Sequence, residues 1–222
     1  MYIAIEGVIG VGKTSLARLL QPSFHAELLL EVFEENPFLS DFYSDRARYA
    51  LQTELFFLLS RYHQQKDVPE MLERGPVIAD FTFAKSALFA SRNLLGDEWV
   101  LYQRLNDALA EKVPAPDLMV YLQAPTETLM ERITRRGRTY ERNMEWAYIE
   151  ELRRAYDEFF ARYTAGPVLI VDAAPLNFVD DPNDLKLVAE RIRVMLGLAD
   201  YQVALPLPSA EESAEPESAE RG

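Results

Sequence analysis

Apolar residues fall in two rhythms along this chain. Short unbroken runs alternate with longer stretches in which apolar residues recur every three or four positions. The short runs are YIAIE (2–6), ELLLEVF (27–33), PVIAD (76–80), a segment at about 117–122 inside PDLMVYLQAP, and GPVLIVDA (166–173). They are rich in β-formers and bounded by Gly, Pro or charge, so they predict five strands. The periodic stretches at 13–20, 45–65, 83–92, 97–111, 126–134, 144–163 and 183–196 predict helices. Strands that are continuously apolar, rather than alternating, are buried on both faces. Their alternation with helices predicts an α/β fold: a doubly wound five-stranded parallel sheet with helices on both faces.

Composition narrows the classes of function. The chain has 222 residues and 49% hydrophobic content, enough for one domain with a proper core. We expect that domain over residues 1–204. The end, 205–222, is built from Pro, Ser, Ala and Glu, and its last 14 residues carry five Glu against one Arg. It cannot bury a core and reads as an acidic, disordered tail. A formal net charge of −13 argues against nucleic acid or an anionic membrane as a partner. The absence of cysteine removes disulfides and thiolate metal sites and fits a reducing cytoplasm. The N-terminus has no basic region of the signal-peptide kind, and no stretch approaches the roughly 18 apolar residues of a membrane span.

An acidic protein that binds a small anion needs a local source of positive charge, and two segments supply one. Residues 7–14, GVIGVGKT, match G-x-x-x-x-G-K-[ST] between a predicted strand and a predicted helix. Gly7, Gly10 and Gly12 allow backbone amides, including those around Val11, to turn onto phosphate oxygens, and the helix N-terminus adds partial positive charge. Lys13 then reaches the β- and γ-phosphates of a nucleoside triphosphate, with Ser15 just beyond, and Thr14 holds Mg²⁺. The second segment, RITRRGRTYER (132–142), carries Arg132, Arg135, Arg136, Arg138 and Arg142 around a flexible Gly137. A mobile lid at about 134–142 that closes on a transferring phosphate needs this composition.

Two carboxylates stand at predicted strand ends. Glu31 follows three leucines and should face the ligand crevice at the carboxyl edge of the sheet. There it can orient an acceptor hydroxyl and take its proton. Asp80 closes the run VIAD and suits a metal-nucleotide site, or an N-cap for the helix after it. Glu34 and Glu35 read as a solvated loop.

In combination these pieces resemble the deoxynucleoside kinase family, P-loop enzymes that phosphorylate the 5′-hydroxyl of deoxynucleosides. YIAIEGVIGVGKTSLA is similar to the family's opening, EVFEENPFLSDFY to the segment beginning at its catalytic glutamate in bacterial members, RRGRTYE to its lid, and MEWAYIEELRRAYDEFF to the helix after the lid. The likeness covers about residues 1–196. It implies a P-loop kinase fold, ATP as donor and Mg²⁺. It also implies Glu31 as the base, Tyr43 and Glu141 on the sugar 3′-hydroxyl, Gln52 on the nucleobase, and Arg136 and Arg138 on the donor phosphates. Phe33, Leu55 and Phe89 are implied neighbours of the base, a purine in the bacterial members resembled. The family's dimeric habit implies a homodimer, or a heterodimer with a related subunit.

One triplet departs from the pattern. The family's third strand commonly ends in a carboxylate, then Arg, then Ser; here it ends Asp80-Phe81-Thr82. The missing charge must come from Lys85, from Arg92 or from the lid, or activity is reduced. On a continuous helix, Lys85 would share a face with Phe81. Two other functions share the loop and lid: a monophosphate kinase of thymidylate-kinase type, and a non-catalytic nucleotide-binding subunit. The first needs an acceptor-phosphate arginine near the third strand, where Phe81 stands. The second is opposed by the intact Glu31, Lys13 and Thr14.

Overall fold

A computed structural model describes residues 1–142 and 144–198. The expected domain boundary at 204 and the acidic tail 205–222 lie outside the described residues. Five strands form one parallel sheet: β1 (Tyr2–Glu6), β2 (Glu27–Leu29), β3 (Val77–Ala79), β4 (Leu118–Gln123) and β5 (Val168–Asp172), in the order β2-β3-β1-β4-β5. Ile3 is in register with Ile78 on one side and Leu118 on the other. Every residue of β1 and β3 is buried, which requires cover on both faces. β5 behaves differently: as an edge strand it alternates, and Ile170 is half exposed.

The helices are α1 (Lys13–Phe24), α2 (Leu39–Ser44), α3 (Arg46–Gln65), α4 (Val68–Arg74), α5 (Lys85–Asn93), α6 (Gly96–Ala110), α7 (Thr126–Arg136), α8 (Trp146–Ala161) and α9 (Pro182–Met195). α1 packs with α9; α5 packs with α3, α6 and α8. The predicted 45–65 helix is α3, capped where the Asp45 side chain accepts from the Arg48 N–H at 3.3 Å. The short helices α2 and α4 add to the expected set.

Two boundaries shift in ways that matter to the site. The run 27–33 yields a strand only to Leu29. Beyond it the Gln64 amide replaces a neighbouring strand, donating to the Leu30 carbonyl at 2.7 Å and accepting from the Val32 N–H at 3.3 Å. Glu31 is thereby held two residues past the strand end. The helix expected from residue 83 begins at Lys85. Lys85 and Phe81 therefore do not share a helical face.

Candidate active site

The loop between β1 and α1 is fixed by packing that only glycine permits. Gly10 has φ 88°, and a Cβ there would lie 2.8 Å from Ile133 Cγ1 and 2.9 Å from the Leu129 carbonyl oxygen. The loop thus rests directly on α7. Gly12, at φ 108°, turns the chain into α1, whose first residue is Lys13. The Lys13 ammonium folds back, donating to the carbonyls of Gly7 (2.7 Å) and Val8 (3.1 Å). Burial, and next the charge of Lys85, lower its pKa to about 8.

Thr14, one residue on, donates its hydroxyl to Asp80. The other Asp80 oxygen accepts the Glu31 N–H at 2.8 Å. Asp80 therefore ties together the phosphate loop and the ends of β2 and β3, and the residue at the N-cap of α5 is Ala84 instead. A hydroxyl and a carboxylate in contact beneath a phosphate loop are the hard oxygen donors that suit Mg²⁺. That ion takes few protein ligands and completes its shell with water and substrate phosphates. The residues present fit the metal.

Glu31 receives two buried cations. Arg61 Nε lies 2.7 Å from one carboxylate oxygen and Lys85 Nζ 2.7 Å from the other. Burial alone pushes Glu31 up, but the charges and hydrogen bonds of Lys85 and Arg61 outweigh it and leave its pKa at about 2. Arg61 is itself held by the Ser86 hydroxyl at 3.1 Å. Of the cations expected to compensate for Phe81, Lys85 is at the site and Arg92 is not. Arg92 faces Glu158 on the surface at 3.6 Å.

Phe81 belongs to the core. It is fully buried, and its carbonyl accepts from Gln65 at 3.3 Å. Thr82 donates through both its N–H and its hydroxyl to Glu6, at 2.6 and 2.8 Å. The backbone that would carry an arginine is held by Gln65 and Glu6.

A cavity lies in front of Glu31. Glu31, Asp80, Lys85 and Arg61 line it, together with Tyr43, Glu141, Phe33 and Phe89. The expected pair Tyr43 and Glu141 is thus brought to the same space as Glu31. Leu55 packs on the core instead of lining the cavity.

Gln52 does not reach it. Its side chain is exposed, and the cavity wall contributed by α3 is Thr53, Glu54, Phe57 and Arg61. Two residues turn an α-helix by about 200°, so Gln52 and Glu54 face opposite ways. The expected base contact at Gln52 is therefore corrected.

The segment expected as a lid, 134–142, begins inside α7, which runs on to Arg136 before Gly137 (φ 69°) stops it in the left-handed conformation. Arg136 donates to Glu141 from Nε (3.1 Å) and Nη2 (2.5 Å), and Arg138 lies 3.6 Å from the same carboxylate. Arg138 also stacks its guanidinium on Phe33, 4.1 Å from the ring centre. Arg132 is structural: it donates to the carbonyls of Val11, Ala173 and Leu176. Arg142 is exposed.

A second cleft runs over the outer side of the phosphate loop, lined by residues 10–15, by Arg135 and by Leu176 to Val179. Gly10, Lys13, Thr14, Arg136 and Arg138 line both spaces. An anion bound at their junction touches both.

Sequence reasoning misses Arg61 and Glu54. The available signal is a charged residue inside the apolar helix segment ELFFLLSRYH, since buried charges need partners.

Comparison with known proteins finds relatives over most of the chain. The chain is 35% identical over 201 residues to a deoxyguanosine kinase of Bacillus subtilis, covering 88% of this chain and 97% of that one. It is 27% identical over 198 residues to a deoxyadenosine/deoxycytidine kinase of the same organism, covering 86% and 90%. Among solved structures, deoxyadenosine kinase from M. mycoides with bound dATP superposes with a TM-score of 0.76 at 25% identity, covering 87% of this chain and 99% of that one. The family description that matches residues 3–196 is deoxynucleoside kinase, and this chain belongs to that family.

Proposed function

We propose that this kinase transfers the γ-phosphate of ATP to the 5′-hydroxyl of a purine deoxynucleoside bound in the inner cavity. The observation that carries this reading is the junction of two clefts at Lys13, Thr14, Arg136 and Arg138, with Glu31 on the inner side only. The donor lies over the phosphate loop and the acceptor lies against Glu31. The 5′-oxygen forms a bond to the γ-phosphorus as the bond from that phosphorus to the oxygen bridging to ADP breaks. Glu31, ionised at neutral pH, aligns the hydroxyl and accepts its proton. A carboxylate held near pKa 2 is a weak base. In a loose phosphoryl-transfer transition state the proton leaves late, when the attacking oxygen has become acidic enough for a weak base to take it.

Lys13 and the lid arginines carry the charge of the transferring phosphoryl group. Arg136 and Arg138 must leave Glu141 to do so, which frees that carboxylate for the sugar 3′-hydroxyl beside Tyr43. Thr14 and Asp80 would hold Mg²⁺, which supplies neutralisation of the donor phosphates. The cysteine-free composition supports a reducing cytoplasm as the compartment. No helix among the described residues is long and apolar enough to cross a membrane.

A purified enzyme supplied with ATP, Mg²⁺ and each deoxynucleoside or deoxynucleoside monophosphate should phosphorylate deoxynucleosides, purines foremost. Conversion of a monophosphate with no nucleoside turnover would support the monophosphate-kinase reading instead. The cations an acceptor phosphate needs, Arg61 and Lys85, are already engaged by Glu31.

We also propose a dimer through α3 and α6. Leu59, Val100, Leu101 and Leu105 on these helices, with Leu95 just before α6, are exposed. α3 and α6 pack on each other, and exposed apolar residues on both suit an interface. Light scattering should report twice the mass of one chain; a monomer at micromolar concentration would contradict this.

A further inference from the structure

The cavity wall formed by α3 holds polar atoms that the transfer chemistry leaves without a task. Glu54 is 2% exposed. One of its oxygens accepts from Asn93 at 2.6 Å, and the other has no hydrogen-bond partner among the described residues. Thr53, beside it and 1% exposed, has an unpartnered hydroxyl in the same wall. Buried carboxylate oxygens without partners are costly and rare, and a ligand that completes the hydrogen bonding is a physical reason to keep one in a cavity wall.

We propose that Glu54 reads the Watson–Crick edge of the purine and sets a preference for guanine over adenine. This rests on the kinase reading above, which places a nucleoside in the cavity. Guanine presents two adjacent donors, N1–H and the 2-amino group, and a carboxylate presents two adjacent acceptors. Adenine presents its 6-amino donor beside an N1 lone pair. An ionised carboxylate repels that lone pair, whereas a glutamine or a protonated glutamate can match adenine through one donor and one acceptor.

The surroundings make this reader titratable at physiological pH. Burial pushes Glu54 up to about 7, against the pull of Arg61 on its own helix and of Asn93 and Lys85 on α5. Glu31, beyond β2, raises it further; Tyr102 of α6 and Tyr148 of α8 are the other titratable groups coupled to it. Above that pH the carboxylate accepts from guanine. Below it the protonated form accommodates adenine, so guanine preference should strengthen as pH rises.

The test compares kcat/KM for deoxyguanosine and deoxyadenosine in the wild type, Glu54→Gln and Glu54→Ala between pH 6 and 8.5, with Gln52→Ala as a control. Glu54→Gln should lower the guanine-to-adenine ratio on the order of 10- to 100-fold, the scale for losing a matched pair of base-edge hydrogen bonds. It should also flatten the pH dependence of the ratio, and the exposed Gln52→Ala should change neither. Glu54→Ala, which keeps no donor or acceptor, should lose deoxyguanosine turnover without gaining deoxyadenosine turnover. An unchanged ratio in an active Glu54→Gln enzyme would overturn the assignment and leave the kinase reading standing. A wild type that phosphorylates no nucleoside would overturn both.

Discussion

Glu31→Gln should lower kcat by at least about a hundredfold, the usual scale for removing a general base. The substitution keeps size and hydrogen-bonding capacity but removes the one anion that Arg61 and Lys85 share. A neutral amide cannot accept the hydroxyl proton, and two buried cations lose their counter-charge. Breaking a buried pair by deleting one partner costs about 3–5 kcal/mol. The variant should therefore also unfold at lower temperature without ligand. Turnover must be read on protein shown to be folded by circular dichroism. Because Glu31 titrates near 2, the wild-type rate should show no acidic limb from this group across the pH range where the protein is folded. Near-wild-type turnover in Glu31→Gln would remove Glu31 from the mechanism.

Lys85→Ala should lower kcat by roughly 10- to 1,000-fold, the range seen when one preorganised charged or donor group leaves a reacting centre, while Arg92→Ala stays within about twofold. The contrast follows from placement: Lys85 is buried on Glu31, and Arg92 lies at the surface on Glu158. Loss of Lys85 also removes the largest influence lowering the Glu31 pKa. Glu31 should then titrate closer to the ordinary value of about 4.3, so activity at low pH should fail earlier than in the wild type. Equal loss in both variants, or in neither, would remove Lys85 as the replacement for the missing arginine.

Much of the fold was legible because its signals are local. The unbroken apolar runs of β1, β3 and β4 lie centrally in the sheet, where burial on both faces demands them. Gly10 of GVIGVGKT sits where the loop packs too tightly on α7 for a side chain, and Gly7 sits as tightly against the Leu122 carbonyl of β4. β2 came out shorter than its apolar run because the Gln64 side chain, 34 residues from Leu30 in sequence, takes over the pairing.

The site was legible in its pieces and less so in its contacts. Glu31, Tyr43, Asp80, Glu141 and the phosphate loop gather around one space. Gln52 failed because α3 is apolar over much of its circumference, so its rotational phase cannot be read from the pattern alone. Glu54 was missed for the same reason. Arg61 sits 30 residues from the carboxylate it pairs with, and no periodicity encodes that distance. Phe81 looked like a lost charge and is a core residue, while Lys85 and Arg61 are the cations paired with Glu31.

In the proposed reaction a 5′-hydroxyl lies between Glu31 and the phosphate loop. The most direct test is a single-turnover reaction of enzyme with γ-labelled ATP, Mg²⁺ and deoxyguanosine, with the labelled product identified. The predicted product is deoxyguanosine 5′-monophosphate carrying the label. Label on the 3′-oxygen, or no label on any nucleoside while ATP binds, would contradict it.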